Sequence, residues 1–153
     1  MLGAGHLTDR KPPFKYSALT RVGFSDTDAQ GIVYYGRYFP YFDLARVEYH
    51  RHLDMLYTSA EEERQFVMRA TSIEYVAPAS FDDLIEVFIR IARIGRTSVG
   101  YECAAYRAED DRLMVTASQT LVLVDLEERK ASEIPDWFKE RVRGFEGENA
   151  EIR

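Results

Sequence analysis

The sequence is poor in the residues that build covalent or metal frameworks. Cys103 is the only cysteine among 153 residues, beside three histidines. An intramolecular disulfide and a cysteine-clustered zinc site are thereby excluded, and a lone thiol suits a reducing compartment. No apolar run approaches the roughly 18 residues of a membrane span. The opening Met1-Leu2-Gly3-Ala4-Gly5-His6 lacks the apolar stretch of a secretory signal. The expectation is a cytoplasmic chain with no membrane partner. Positive charge is in deficit, with 20 Lys and Arg against 26 Asp and Glu and a net charge of −6. Such a field repels a phosphate backbone, which argues against nucleic acid as a partner. The chain also has no Walker-type glycine loop, dinucleotide fingerprint or Gly-x-Ser-x-Gly elbow.

What is present reads as one ordinary domain, 46% hydrophobic and 30% charged. Residues 1–13 hold Gly3, Gly5, Pro12 and Pro13 without periodicity, the pattern of a flexible leader. The single domain is expected over 14–143, with a tail over 144–153. Residues 14–24 alternate between apolar and polar side chains and predict a strand, closed by turn formers over 25–31. From Tyr38 the period changes: Tyr38, Tyr41, Phe42, Ala45, Tyr49 and Leu53 fall on one helix face. Asp43, Arg46, His50 and Asp54 fall on the other, and Pro40 fits only the first turn. His50 and His52 are two apart, so they point in different directions and are read as exposed helix histidines. Glu61, Glu62 and Glu63, within 59–65, predict a solvated connection.

The remainder is rich in strand patterns. Strands are predicted over 66–76, around Ile85, Val87, Ile89 and Ile91, around Val99, Tyr101, Cys103 and Ala105, and over 113–124. Residues 93–96 read as a break, Cys103 as core packing, and 135–142 as a short helix with Gly144 beyond its end. Strand, helix and four further strands make an α+β fold: a five-stranded, mostly antiparallel sheet with one long helix packed across it. One exposed edge and one uncovered face predict self-association.

Asp26 and Asp28 lie between the first strand and the long helix, and Gly31-Ile32-Val33-Tyr34-Tyr35-Gly36 leads into the helix start. A carboxylate beside free helix N–H groups is what acyl transfer requires, because those donors and the helix dipole stabilise an oxyanion. An Asp before a helix is also a common turn former or cap.

Phe24-Ser25-Asp26-Thr27-Asp28-Ala29-Gln30-Gly31-Ile32-Val33-Tyr34-Tyr35, followed by Tyr38, Phe42 and Ala45-Arg46, resembles the signature of hot-dog-fold acyl-CoA thioesterases of the 4-hydroxybenzoyl-CoA thioesterase family. The likeness continues in Ala79-Ser80-Phe81-Asp82-Asp83-Leu84 and Ile94-Gly95-Arg96-Thr97-Ser98-Val99, and spans about residues 15–126. It implies a sheet wrapped around one central helix, and a small-molecule acyl-CoA hydrolysed to free acid and CoA. By the same resemblance Asp28 is nucleophile or general base, Asp26 is structural, and the backbone N–H near Tyr35 stabilises the oxyanion. Gly31 forms a tight turn, Gly36 permits close approach of the substrate, and Tyr38 contacts it. Arg93, Gly95, Arg96, Thr97 and Ser98 would hold the nucleotide phosphates of CoA. Metal and cofactor are not required, coenzyme A being part of the substrate. A homodimer or homotetramer is implied, with the site between subunits.

Glu48 on the helix is the runner-up carboxylate, since some other hot-dog thioesterases use one there. The chain departs from the family at Arg37, where Asn or Ser is common; Arg cannot accept the capping hydrogen bond. That leaves the helix start, and with it the oxyanion donor, open to a shift of one residue. Two alternatives stand beside hydrolysis of acyl-CoA: a non-catalytic acyl-CoA-binding module, and a thioesterase acting on acyl carrier protein.

Overall fold

A computed structural model describes residues 4–56 and 64–153. The predicted solvated connection around Glu61–Glu63 lies outside the described residues. Five long elements follow the alternating patterns: β2 (Tyr16–Arg21), β3 (Arg64–Tyr75), β4 (Leu84–Ile94), β5 (Ser98–Arg107) and β6 (Arg112–Asp125). Three short strands join them among the described residues: β1 (Gly5–Leu7), β7 (Lys130–Ala131) and β8 (Glu151–Ile152). The order is β1-β2-β4-β5-β6-β3, with antiparallel neighbours throughout; β7 adds to β6, and β8 runs parallel to β4.

Register explains the core. Ile89 pairs with Cys103, which pairs with Ala117, and Val87 pairs with Ala105, which pairs with Val115. These rows form one buried face with the helix α1 (Tyr38–His52), whose Tyr41, Phe42, Ala45 and Tyr49 are almost inaccessible. Each such large apolar side chain contributes about 1.5–3 kcal/mol on burial. β3 is the exception. Among the described residues it pairs only with β6, it is twelve residues long, and its Val67 and Met68 stand more than 40% exposed.

The termini correct the sequence reading. The expected flexible leader contributes β1, which pairs with Ala18, Ser17 and Tyr16 of β2. Gly5 makes this possible: a Cβ there would sit 1.6 Å from the Tyr16 hydroxyl oxygen. The second helix, α2 (Asp136–Glu146), contains Gly144 and ends at Gly147, whose φ of +61° suits a helix terminus only a glycine takes readily. The expected tail over 144–153 is therefore part of the fold. Glu146 is buried, its Oε2 accepts hydrogen bonds from the Tyr49 hydroxyl at 2.6 Å and the Ile91 N–H at 3.3 Å, and β8 pairs with Arg93 and Ile94. No helix among the described residues is long and apolar enough to cross a membrane.

Candidate active site

The segment between β2 and α1 is held by Asp26. A short 3-10 turn, Phe24–Asp26, brings its carboxylate back toward the strand exit. Oδ2 accepts from the Gly23 N–H at 2.9 Å and from the Tyr41 hydroxyl at 2.8 Å, while Oδ1 accepts from Arg37 Nε and Nη2 at 3.0 and 2.9 Å. Its backbone carbonyl takes the Tyr34 N–H at 2.9 Å. Burial alone would push the Asp26 carboxyl up. The bonds from Gly23, Tyr41 and Arg37, with the guanidinium charge, outweigh it and hold the group below its ordinary value. Asp26 thus ties strand, loop and helix together through its carboxylate.

Asp28 stands two residues on, in a small hairpin closed by the Thr27–Val33 bridge. Its N–H donates to the Ile32 carbonyl at 2.9 Å and its own carbonyl accepts the Gly31 N–H at 3.0 Å. Gly31 turns the chain with φ +78°, a conformation costly for a residue with a Cβ. The half-buried Asp28 carboxylate accepts one backbone bond, from Gln30 at 2.8 Å. It lines a cleft of about 400 Å³ whose other walls are Ile32 and Val33, Tyr35 and Tyr38, and residues 75–78.

Tyr35 begins a second 3-10 turn, Tyr35–Arg37, that runs directly into α1. The open first N–H groups of that continuous helical segment are those of Tyr35 and Gly36, since a helix cannot pair its leading donors internally. Arg37 does not cap the helix. Its guanidinium is committed to Asp26, and its N–H closes on the Tyr34 carbonyl at 2.8 Å. A 3-10 turn thus precedes α1, which starts at Tyr38 without a side-chain cap. A Cβ at Gly36 would press on the Tyr34 ring at 3.2 Å. Tyr38 is buried and meets the rings of Tyr41 and Tyr75 edge-on, at 5.7 and 5.8 Å.

The second predicted cluster sits elsewhere. Arg93 and Ile94 lie inside β4, past a bulge that follows Ile91, and the break is confined to residues 95–97. Gly95 donates to the Ser98 carbonyl at 2.8 Å; the Arg96 and Thr97 carbonyls take the N–H groups of Ile134 and Leu123, both at 2.9 Å. The Arg96 guanidinium is largely free in solvent, 3.6 Å from Glu133. Arg93 lies across Gly100 and reaches the Thr120 hydroxyl at 2.8 Å. Tyr75 of the Asp28 cleft pairs with Val115 of β6, whereas Ser98 pairs with Val122. Seven residues of strand, about 23 Å, separate the two clusters within one chain.

Three other side chains are placed as follows. Cys103 is buried and its thiol is pushed up to about 12, which suits core packing. Glu48 pairs with Arg51 and is not part of the cleft wall. His50 contradicts the sequence reading: it is buried, its Nε2 shares a hydrogen bond with the Tyr101 hydroxyl, and burial pushes it down to about 4. Phe66 and Phe138 cover it edge-on, contacts that helical periodicity could not reveal. No cluster of three or more metal-ligating side chains exists among the described residues. Helical spacing puts Tyr41 on the apolar helix face and the strand pattern over 66–76 contains Tyr75; that Tyr41 holds Asp26 and Tyr75 walls the cleft follows from contacts distant in sequence.

The family model of the thioesterase-like superfamily matches residues 22–142. The chain belongs to that superfamily. Among relatives of this thioesterase-like chain is the acyl-CoA thioesterase YbgC of Haemophilus influenzae, 32% identical over 126 residues that cover 81% of this chain and 91% of the relative. The acyl-CoA thioester hydrolase YbgC of Escherichia coli O6:H1 is 34% identical over 116 residues, 75% of this chain and 86% of the relative. The same fold is seen in the solved 1,4-dihydroxy-2-naphthoyl-CoA thioesterase from Synechocystis, with a TM-score of 0.78 at 20% identity, covering 84% of this chain and 96% of that one. The thioesterase-like chain is thus a hot-dog-fold thioester hydrolase.

Proposed function

We propose that this chain hydrolyses a small-molecule acyl-CoA thioester to the free acid and CoA, with Asp28 as the reacting carboxylate. The observation that carries the reading is the shared cleft: Asp28 lines it together with Tyr35, which opens the helical segment leading into α1. An ionised carboxylate and unpaired backbone donors are the two groups that thioester cleavage needs. Asp28 either attacks the carbonyl carbon, expelling CoA thiolate and leaving a mixed anhydride for water to open, or takes a proton from the water that attacks. In both routes the Tyr35 and Gly36 N–H groups face the developing oxyanion, Gly31 holds the Asp28 turn, and Tyr38 walls the acyl group. Carboxylate, water and backbone donors suffice, so no metal or cofactor enters the proposal, and coenzyme A enters as substrate.

The unit that acts is a homodimer or a tetramer built from it. The exposed edge of β3 is long enough to pair with a second copy. Antiparallel pairing about the middle of β3 sets the Tyr75 end of one strand beside the Arg64 end of the other. That end lies next to Val122 on β6 and hence next to Ser98. A second copy would thereby bring its own Arg93, Gly95, Arg96, Thr97 and Ser98 toward the first copy's cleft. Guanidinium and hydroxyl groups suit nucleotide phosphates. The lone buried Cys103 fits a reducing cytoplasm.

An acyl carrier protein is the less favoured substrate, because that partner is acidic and this chain carries −6. The test is thiol release from acyl-CoAs and from acyl carrier protein loaded with the same acyl groups. Faster turnover of the CoA esters supports the proposal. A protein that gains heat stability from acyl-CoA but cleaves none is a binding module instead.

A further inference from the structure

We infer that Tyr75 is a positioning residue for this reaction, acting through the peptide bond between Tyr35 and Gly36. The inference rests on the function proposed above. Tyr75 ends β3, forty residues from Tyr35 in the chain, and its hydroxyl donates to the Tyr35 carbonyl oxygen at 2.8 Å. Its ring stands edge-on to Tyr38, the first residue of α1, with centroids 5.8 Å apart. Ring packing and hydrogen bond together anchor the start of the helical segment to the sheet edge, on the wall that Asp28 shares.

The bonded oxygen and the Gly36 N–H are the two ends of one amide. A hydrogen bond accepted at the oxygen draws density from the nitrogen and leaves the N–H more positive, the cooperative effect of linked hydrogen bonds. A carbonyl oxygen has two lone pairs, so accepting from Tyr75 leaves it free to accept from the next helical turn. The arrangement both aims the Gly36 donor and strengthens it. Tyr75 itself touches no reacting atom in this scheme.

Tyr75→Phe keeps the ring against Tyr38 and removes only the hydroxyl, so two readouts separate positioning from packing. In protein labelled with ¹⁵N-glycine, the Gly36 amide nitrogen resonance should move while the other glycine amides hold their places. Turnover of benzoyl-CoA, butyryl-CoA and palmitoyl-CoA should fall about tenfold in kcat for whichever is cleaved, with KM within about a factor of two, as for a group acting only in the transition state. An unmoved Gly36 resonance overturns the inference. So does a moved resonance with unchanged kcat on a thioester that Asp28→Asn fails to cleave, and in that case the proposed function stands. If the wild type cleaves none of the three, or Asp28→Asn cleaves them as fast, the proposed function falls and the inference with it, whatever the Gly36 resonance does.

Discussion

Arg37 gives both Nε and Nη2 to a single oxygen of Asp26, at 3.0 and 2.9 Å, and so fastens the turn before α1 to the loop that carries Asp28. The other oxygen of Asp26 is held by Tyr41 and Gly23. Replacing Asp26 by Ala strips partners from all three, and should cost about 2–3 kcal/mol, in the range of bonds to a charged group. Arg37→Ala, at a more exposed side chain, should cost about 1 kcal/mol or less. Urea titrations of both variants check the order. Because folding lowers the Asp26 pKa, its contribution is present above its ordinary carboxylate value and is lost as pH falls through the lower folded value.

A Cβ on Gly31 would meet no atom within 4 Å, so steric crowding does not restrict this position; its φ of +78° does. Gly31→Ala should therefore destabilise by about 1–2 kcal/mol through backbone strain alone. Gly31→Asn should cost less, since Asn tolerates that region better. Thermal melts of the two variants rank them, and equal melting temperatures would contradict the assignment.

His50 gives the fold an acid limit. The unfolded chain takes up a proton near 6.5, whereas the buried ring resists it until about 4. Stability is thus full above pH 6.5 and declines as pH falls toward 4, by about 3 kcal/mol from this group. In His50→Gln that slope should flatten. Guanidinium unfolding at about pH 7, 5.5 and 4.5 measures it across the window set by the two values, and parallel slopes in variant and wild type would count against the burial of His50.

A charge on the β3 edge should separate the copies. Met68→Glu, at an exposed position of that strand, is expected to weaken self-association by about tenfold or more, the consequence of burying an unpaired carboxylate. Sedimentation velocity and turnover measured at the same concentrations should fall together. Full activity in a monomer would contradict the two-copy site.

The sheet and the long helix were legible because their side-chain periods differ. Ile85, Val87, Ile89 and Ile91 alternate and are all buried in β4, and Tyr38, Tyr41, Phe42, Ala45 and Tyr49 share the buried face of α1. What periodicity missed depends on contacts distant in sequence. His50 lies on the polar side of the helix, and the aromatic rings of Phe66 and Phe138 cover it. Gly144 and Gly147 are equivalent helix ends in sequence; the positive φ falls on Gly147. β1 is three residues long, too short to alternate, and exists because Gly5 lets the Tyr16 ring approach. The pairing of Asp28 with the helix start was legible from the motif. The distance from Asp28 to the cluster around Arg96 was not, since it follows from the register of β3, β5 and β6.

One labelling pattern belongs to the nucleophilic route of Asp28 alone. Single turnover in ¹⁸O-water places label in the Asp28 carboxylate when the anhydride carbonyl on the enzyme side is opened by water, and only in the released acid when Asp28 acts as a base. Mass spectrometry of the peptide containing Asp28 reads the difference.

The most direct test of the central claim is thiol release by wild type and Asp28→Asn on a panel of aromatic, short, medium and long acyl-CoAs, with binding of the same esters measured by calorimetry. The account predicts turnover of at least one class by the wild type, and loss of that turnover in the variant by about a hundredfold or more with binding largely retained. Hydrolysis by Asp28→Asn at the wild-type rate would contradict it.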